Sequence, residues 1–333
     1  MIKQLKAVHV FTWLLFGIVF LTSCAMAPPM KDVEAPIAGE TIVFGQVDVF
    51  ENGVKQDWKM KWTGARTFYL MILPPGTTEA ITYKVMEDGS FYWSLKPGEY
   101  QLLAYRFQKG NQWLTGRIGA TFSVPANVDG LYVGDFRMNI QRGRYFTSIA
   151  NNFKSALINY QNKFPTQTSA PQASLMKGRK KLGQYNLVGH PCHKMWGITC
   201  TKRYRGVEPI SPEIANHGFP QTESLSPVFK WKPSSSSDIT YDFVIYEAAS
   251  YSVSGMDKQY VEGRLVDYWE NVKQPYLTLL SPLKPATRYF WSVRTRKGQT
   301  VSGWSSFSFM GFYVFAMTSG VGKPFAFSTP PSP

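Results

Sequence analysis

The chain has 333 residues, 44% of them hydrophobic and 15% aromatic, and a formal net charge of +14. This length allows two ordinary domains with buried cores, and the aromatic content with 27 Gly and 22 Pro favours β-structure with many turns. Beyond an apolar run near the N-terminus the hydrophobicity is moderate, which excludes further membrane-spanning helices.

The N-terminus has the order of charge and hydropathy that is typical of a secretory signal. Lys3 and Lys6 come first without any acid, and an apolar run follows from Val8 to Leu21. The run holds about 14 residues, whereas a spanning helix needs about 20. We therefore expect a cleaved signal peptide over residues 1–23, with an uncleaved N-terminal helix as the alternative.

The end of this signal, Leu21-Thr22-Ser23-Cys24, resembles the lipobox of bacterial lipoproteins. The resemblance implies that Cys24 becomes the lipidated, palmitate-bearing N-terminus of the mature chain. Several acyl chains give an effectively permanent anchor, because each buried methylene contributes about 0.8 kcal/mol. Ala25, rather than Asp, follows the cysteine, which by resemblance to Gram-negative sorting implies the outer membrane.

Residues 24–39 contain several prolines and little periodicity, which predicts a flexible lipidated tether. Residues 40–144 hold closely spaced strand candidates, which predict an antiparallel β-sandwich. These are 41–50, 67–73, 81–85, 90–95, 99–107, 119–124 and 131–140. The stretch from Asp88 to Tyr100 resembles the turn signature of transthyretin-like or carboxypeptidase-regulatory-like modules, which implies the same fold.

Residues 145–206 are predicted to form a basic connector. From Tyr145 to Phe164 apolar residues recur every three or four positions, which predicts an amphipathic helix that ends before Pro165. The recurring residues are Phe146, Ile149, Phe153, Leu157, Tyr160 and Phe164. We expect the helix to pack on the first sandwich, and an interfacial membrane helix is the alternative.

Residues 207–328 are predicted to form a second β-sandwich. The stretch from Leu283 to Arg294 resembles the corner of fibronectin type III domains, where a Tyr hydroxyl bonds back to the chain. The resemblance implies that Tyr289 is this tyrosine, that Trp231 lies in the core, and that Gly303-Trp304-Ser305 opens the last strand. We expect residues 311–327 to add a closing strand and residues 329–333 to be a disordered tail. The fold class is thus mainly β: two antiparallel sandwiches joined by a basic, partly helical connector.

The positive charge is concentrated in the connector. Between Arg137 and Gly206 there are 13 basic residues and no acid, and outside this window and the signal peptide the chain is nearly neutral. Such a stretch suits an anionic lipid, lipopolysaccharide or an acidic envelope protein, and solvated linker charges are the alternative. We expect no nucleic acid, which an exported lipoprotein seldom meets. The candidate binding residues are Lys177, Arg179, Lys180, Lys181, Lys202, Arg203 and Arg205.

The two other cysteines, Cys192 and Cys200, are predicted to form a disulfide, because they remain as a pair in an oxidising compartment once Cys24 is lipidated. Closing so short a loop stabilises the fold by less than the ~3 kcal/mol of a 15-residue loop. The alternative is a metal site of His190, His193 and the two cysteines, whose spacing matches no recognised finger.

No catalytic motif is present in the sequence, neither a nucleophile elbow nor a phosphate loop nor a dinucleotide fingerprint. We therefore expect no enzyme, no cofactor and no metal, and a non-enzymatic envelope lipoprotein with a binding or scaffold role. The alternatives are a surface adhesin or glycan-binding protein and a hydrolase of unrecognised type. Aromatic side chains that could stack on sugars, although strand aromatics more often pack in cores, are Tyr92, Trp93, Trp113, Trp269 and Trp291.

Overall fold

The computed structural model describes residues 30, 32–56, 66–109, 112–142, 144–178, 200–214, 218–236, 238–252, 258–313, 316–319 and 324–332. Its secondary structure is almost entirely β, which confirms the mainly β fold class. In these ranges no helix has the length and apolarity needed to cross a membrane.

The first half of the described chain contains twelve strands and one helix. They are β1 (Thr41–Glu51), β2 (Val54–Lys55), β3 (Arg66–Leu73), β4 (Ile81–Lys84), β5 (Ser90–Leu95), β6 (Gly98–Lys109), β7 (Gln112–Val124), β8 (Gly130–Tyr132), β9 (Asp135–Gln141), β10 (Arg144–Ala150), α1 (Phe153–Lys163), β11 (Gln172–Ala173) and β12 (Lys177–Gly178).

The second half contains eleven strands within the described ranges. They are β13 (Cys200–Arg205), β14 (Pro209–Ser211), β15 (Val228–Trp231), β16 (Thr240–Tyr251), β17 (Gln259–Val272), β18 (Tyr276–Thr278), β19 (Arg288–Lys297), β20 (Thr300–Val301), β21 (Ser306–Tyr313), β22 (Ala316–Ser319) and β23 (Phe325–Ser328).

Two sheets form the first sandwich. One has the strand order β12-β7-β6-β3-β4, and the other has the order β10-β9-β1-β8-β11, with β2 and β5 on the other side of β1. Successive side chains of a strand point to opposite faces, and alternate residues of β1 and β3 are fully buried between the sheets, among them Val43, Val47, Phe68 and Leu70. The apolar alternation therefore builds one core between two sheets, and their outer faces remain for other contacts.

The segment predicted as one helix divides into a strand and a helix. β10 pairs with β9 from Arg144 opposite Gln141 to Ala150 opposite Asp135, and α1 begins only at Phe153. The prediction of a helix from Tyr145 is therefore wrong at its N-terminal end. Short apolar runs fit a helical and a strand period alike, and the edge of β9 decides between them because it supplies backbone partners.

Helix α1 packs on the outer face of the sheet that contains β1, as expected. The ring of Tyr160 lies 4.6 Å from that of Phe44, and the ring of Phe164 lies 5.5 Å from that of Tyr92. All four side chains are buried in one apolar cluster. Because the apolar side of the helix is covered in this way, it is not free to enter a bilayer.

The described parts of the predicted connector belong to the two sandwiches rather than to a separate unit. β10, β11 and β12 pair with β9, β8 and β7 of the first sandwich, whereas β13 pairs with β21 in the second half of the chain. The structure thus differs from the boundaries expected at residues 145 and 206. Strand edges carry unpaired backbone groups, and these short segments supply their partners; residues 179–199 lie outside the described part.

The end of the predicted tether is bound to the first sandwich. The backbone amide of Met30 donates to the carbonyl of Thr82 in β4 at 2.9 Å, and the amide of Lys84 donates to the carbonyl of Met30 at 3.1 Å. The amide of Val33 donates to the carbonyl of Tyr92 in β5 at 3.0 Å. We call Met30 and residues 32–34 the strap. It covers an edge of each sheet on the same side of the sandwich, which corrects the expectation of a flexible tether up to residue 39.

The second half of the chain forms a second β unit with its own core. The sheets have the orders β14-β15-β18, β13-β21-β22 and β17-β16-β19-β20, and β23 pairs with β19 in the last of them. Trp291 and Phe229 are fully buried at the centre of the core, with their rings 5.2 Å apart. Trp231 is 1% exposed, which confirms its predicted core position.

The predicted tyrosine corner is present. The backbone amide of Lys284 donates to the hydroxyl oxygen of Tyr289 at 3.0 Å, and β23 supplies the expected closing strand. The tail, however, is ordered where it begins. The hydroxyl of Thr329 donates to the carbonyl of Lys284 at 2.6 Å, and the amide of Ala286 donates to the carbonyl of Pro330 at 2.8 Å. The expectation of disorder from residue 329 onward is therefore wrong for these two residues.

The long middle of the second half, from Ala248 to Tyr276, docks on the first sandwich. The amide of Ser250 in β16 donates to the carbonyl of Thr78, and the amide of Ala80 donates to the carbonyl of Ser250, both at 2.8 Å. The end of β16 thereby extends the sheet of the first sandwich beside β4. A shared apolar cluster lies underneath and contains Met71, Leu73, Leu103, Ala104, Ala249, Tyr251 and Val261.

We call this interface between the two sandwiches the junction. It also contains polar contacts. The guanidinium of Arg264 in β17 donates to the carbonyls of Pro74 and Thr77 at 2.6 Å each. Arg117 of β7 forms an ion pair with Glu262 of β17, and both side chains are largely buried. Apolar burial, backbone pairing and a buried ion pair together hold the two sandwiches in one orientation.

Candidate functional site

Half of the ten residues predicted as functional from the sequence lie outside the described part of the chain. These are Cys24, Cys192, Arg179, Lys180 and Lys181, so the lipidation and the disulfide stay predictions. For Cys200, Lys202 and Arg203 the structure describes the backbone, which forms β13, but not the side chains.

The two remaining candidates, Lys177 and Arg205, are both exposed but belong to different sandwiches. Lys177 pairs with Thr121 in β7, whereas Arg205 pairs with Ser306 in β21. The structure therefore does not join these two predicted positions into one patch through strand pairing.

The acid-free segment instead places several cations at one side of the first sandwich. Arg142 lies at the turn between β9 and β10, Lys154 lies in the first turn of α1, and Lys177 lies in β12; all three are exposed. Each belongs to an element beside the outermost strands of the two sheets. We call these three residues the basic edge.

A row of side chains with mixed chemistry runs across the neighbouring sheet face. Strand register places Phe50 of β1 beside Lys55 of β2 on one side and Asn139 of β9 on the other. Asn139 in turn lies beside Phe146 of β10. Laterally paired residues point to the same face, and Phe146 is 52% exposed. We call Lys55, Phe50, Asn139 and Phe146 the outer row.

The outer row is bordered by a neutralised carboxylate. Asp48 is buried. Its Oδ1 forms an ion pair with Lys55 Nζ at 2.7 Å, and its Oδ2 lies 4.0 Å from Arg137 Nε. The guanidinium carbon of Arg137 also lies 5.8 Å from the ring centroid of Phe50. Asp48 thus faces two cations, and Asp135 of β9 also interacts electrostatically with Arg137.

A buried hydrogen-bond network holds the far end of β10 and the start of α1. Asp135 is 1% exposed and accepts hydrogen bonds from the Tyr132 hydroxyl at 2.9 Å and from Asn152 Nδ2 at 2.6 Å. The Tyr132 hydroxyl accepts from the backbone amide of Asn152 at 2.8 Å. Burial raises the pKa of Asp135, and the hydrogen bonds from Asn152 and Tyr132 oppose that rise. This network positions β10 beside the helix, and with it the outer row and the basic edge.

Sequence reasoning missed the outer row. The apolar patterns predict a strand at Phe50, without a surface role, and the apolar side of a helix at Phe146. The signal that was available is the Gln-Arg-Gly-Arg sequence at residues 141–144, since glycine beside a turn between two alternating segments predicts a hairpin. Arg142 has a positive φ of 47°, which is consistent with such a turn.

The aromatic residues considered for sugar stacking are mainly structural. Trp93 and Trp291 are fully buried and Tyr92 is 5% exposed. The indole nitrogen of Trp269 donates to Asp267 Oδ2 at 2.7 Å. The side chain of Trp113 lies outside the described part. Burial therefore removes Tyr92, Trp93 and Trp291 from a sugar platform, and Trp269 is half-buried against the core of the second sandwich.

Metal binding finds no support in the described residues. Within them no three His, Cys, Asp or Glu side chains come together as potential ligands of one metal ion. The site that the structure assembles is a solvent-facing patch of cations, phenyl rings and an amide. Such a patch can pair with carboxylates or phosphates and cover an apolar ring, which is the chemistry of a binding surface.

The fold and this site define a mainly β protein of two joined sandwiches with a basic surface on the first. No family model matches the sequence, and no curated protein matches it.

Solved structures similar to the chain include the FN1–FN3 domains of chicken CNTN1, at 10% identity and a TM-score of 0.18, covering 88% of this chain. The chain spans 66% of the length of that structure. A DUF3823 family protein from Bacteroides ovatus matches at 7% identity and a TM-score of 0.15, with 85% of this chain and 97% of that chain covered. One from Parabacteroides merdae matches at 10% identity and a TM-score of 0.16, with 82% and 96% covered.

Proposed function

We propose that the chain is a non-enzymatic lipoprotein of the cell envelope, anchored through Cys24 to the outer membrane of a Gram-negative bacterium. It acts as a binding or scaffold component, and its acid-free segment contacts an anionic envelope partner. The lipobox sequence supports the anchor, and the absence of catalytic motifs in the sequence supports the binding role.

One observation carries the binding role. The described first part of the acid-free segment is not a linker but a folded border of the first sandwich, made of β10, α1, β11 and β12. Folding brings Arg142, Lys154 and Lys177, which are up to 35 residues apart in sequence, into elements at one side of the molecule. A fixed array of cations recognises anions better than a flexible one, because less conformational entropy is lost on binding.

The junction supports a scaffold role. Two sandwiches joined only by a linker move independently, whereas here paired strands and a shared apolar cluster unite them. Surfaces on both sandwiches are therefore presented at a constant separation.

Removing the basic edge is expected to weaken binding to anionic envelope material by about tenfold to a hundredfold, since each cation near an anionic surface contributes about 1 kcal/mol. The variant combines Arg142→Asn, Lys154→Gln and Lys177→Gln, with Asn chosen because it tolerates the positive φ at that turn. Cosedimentation of the purified protein with envelope fragments, measured as salt is raised, gives the change in affinity.

A matched variant tests whether binding depends on the three cations of the basic edge or only on the net charge of the protein. Lys96→Gln, Lys230→Gln and Lys273→Gln remove three equally exposed charges elsewhere. We expect this control to bind as the unmodified protein does. Equal weakening in both variants, or no salt dependence in either, would contradict the assigned surface.

Replacing Cys24 with alanine is expected to abolish palmitate labelling in cells and to move the protein out of the membrane fraction, because the acyl chains provide the anchor. Cys200→Ala is the control and should keep the label. Labelling that persists in the Cys24→Ala variant would show that the anchor is assigned to the wrong residue.

A second candidate function, glycan binding, is favoured by the outer row. Phe50 and Phe146 flank the amide of Asn139 on one sheet face. Aromatic rings cover the apolar faces of sugars, and amides hydrogen-bond their hydroxyl groups. This combination is found in the outer row and not among the aromatic residues that the sequence brought forward.

A further inference from the structure

The strap determines where the anchored end of the chain leaves the fold. Met30 is hydrogen-bonded to the edge of β4, and Val33 is hydrogen-bonded to the edge of β5. Val33 also packs against the apolar cluster under α1. Five residues, 25–29, separate Met30 from Cys24, and fully extended they reach at most about 20 Å. A lipid on Cys24 therefore keeps the strap within about 20 Å of the bilayer, with the end of β16 beside it on the same edge.

The basic edge lies on the opposite side of the same sandwich. In the sheet with the order β12-β7-β6-β3-β4, the strap binds β4, whereas Lys177 lies in β12 at the other end. Four strand spacings separate these edges, or about 19 Å. In the second sheet the strap binds β5, whereas β10 and β11 lie beyond β1 on the other side.

The outer face of the second sheet carries the chemistry of a site for a negatively charged glycan, and its outer row begins on the strap side of β1 and ends at β10, beside the basic edge. The outer row follows the direction across the strands, from Lys55 through Phe50 and Asn139 to Phe146. Its repeat of about 4.8 Å is close to the length of one sugar ring in an extended polymer. Phenyl rings would stack on such rings, the amide of Asn139 would bond hydroxyl groups, and the exposed cations of the basic edge would pair with carboxylates.

We infer that the first sandwich bridges the anchoring bilayer and a carboxylate-bearing glycan polymer, with the strap side toward the bilayer and the outer row and basic edge binding the polymer. The inference rests on the lipid anchor of the proposed function and adds to it the class of the partner and its side of the molecule. An alternative in which the basic edge binds the anchoring bilayer itself is a distinct outcome of the test.

The test uses the acylated full-length protein in vesicles of phosphatidylcholine or of phosphatidylglycerol. The probe is polygalacturonate, which carries a carboxylate on every ring, compared with its neutral methyl ester and with polyglutamate, which has carboxylates but no rings. We expect polygalacturonate to bind with the same affinity on both kinds of vesicle, and the ester and polyglutamate to bind more weakly. Loss of polymer binding on phosphatidylglycerol vesicles alone would show that the basic edge faces the bilayer, which overturns the inference.

Substitutions on the edge strand β10 test the glycan contact. Phe146→Ala should weaken polygalacturonate binding by about fivefold, the effect of losing one ring contact, and leave polyglutamate binding unchanged. Tyr145→Ala is the matched control, because Tyr145 is similarly exposed on the same strand but points to its other face. Equal effects of both variants, or equal binding of polyglutamate and polygalacturonate, would overturn the glycan assignment. Failure of the anchor itself would appear separately, as protein that does not float with either kind of vesicle.

Discussion

Replacing Asp242 with alanine is expected to lower the free energy of unfolding of the second sandwich by about 3–5 kcal/mol, the usual effect of breaking a buried ion pair on one side. Asp242 lies in β16 and is fully buried. Its Oδ2 accepts from Arg294 Nε at 2.7 Å and from Arg296 Nη2 at 2.8 Å, and its Oδ1 accepts from Arg296 Nε at 2.7 Å. Removing the carboxylate would leave two neighbouring guanidinium groups, with Glu270, 3.1 Å from Arg296 Nη2, as the acid that remains beside them.

The arginines cannot easily leave this position. The guanidinium of Arg294 lies 4.6 Å from the ring centroid of Trp304, and the ring of Tyr268 packs against that of Trp304. Both arginine side chains are less than 15% exposed. Moving them to water would therefore uncover the apolar residues beneath Trp304 as well.

Lowering the pH is expected to destabilise the second sandwich by protonating the carboxylate of Asp242. Burial raises the pKa of Asp242, but the hydrogen bonds from Arg296 and Arg294 outweigh it, and the pKa lies below its ordinary value of 3.8. Because the pKa of Asp242 is lower in the folded state than in the unfolded state, its ionised carboxylate stabilises the fold at any pH above the unfolded-state pKa. This stabilisation is lost as the pH falls through the folded-state pKa. We therefore expect the unmodified protein to lose stability below about pH 4 more steeply than the Asp242→Ala variant.

Denaturant unfolding followed by tryptophan fluorescence measures both effects. Asp238→Ala is the matched control, because Asp238 forms a similar contact with Lys297 at 2.7 Å but on the surface. We expect no measurable change in the control, since exposed ion pairs contribute little. A loss in the Asp242→Ala variant as small as that of the control would show that the buried pair does not stabilise the sandwich.

Replacing Glu262 with alanine is expected to destabilise the junction by about 3–5 kcal/mol, because it removes the buried carboxylate that pairs with the largely buried guanidinium of Arg117. The side chain of Glu262 is 5% exposed and that of Arg117 is 12% exposed. The pair borders the apolar cluster that contains Tyr251 and Val261. Water that enters to solvate Arg117 would weaken these apolar contacts as well.

The expected result is partial separation of the two sandwiches rather than loss of either core. Calorimetry should show one transition in the unmodified protein and two in the variant, and small-angle scattering should show a larger radius of gyration. Glu79→Ala is the control, because Glu79 and Lys258 form an exposed pair across the same junction at 3.0 Å, and such pairs contribute about 0–1 kcal/mol. A single transition at an unchanged temperature in the Glu262→Ala variant would contradict this role of the ion pair.

Much of the architecture could be predicted from local patterns in the sequence. Alternating apolar residues predict the strands of both cores, and the Pro-containing turn before Tyr289 predicts a corner whose hydrogen bond the structure confirms. The apolar period through Tyr160 and Phe164 predicts a helix that packs on a sheet, which the structure also confirms. These features depend on residues close together in the chain.

The candidate site depended on contacts that no local pattern contains. Phe146 fits both a helical and a strand period, and only its register with Asn139 places it on an exposed face beside Phe50. The sequence shows that the basic residues are concentrated in one acid-free segment, but it predicts a separate connector there. The structure instead pairs β11 and β12 with the edges of the first sandwich.

The sequence by itself determined the mainly β class, the two cores and the existence of an acid-free segment, because each follows from spacing or composition, and the resemblance to fibronectin type III domains implied the tyrosine corner. Only the tertiary structure decided that the strap is bound, that the junction joins the sandwiches, and that the basic edge lies opposite the strap. The physical reason is that edge strands such as β4 and β9 offer unpaired backbone groups to any suitable segment. Which segment pairs with them depends on the whole fold rather than on the segment alone.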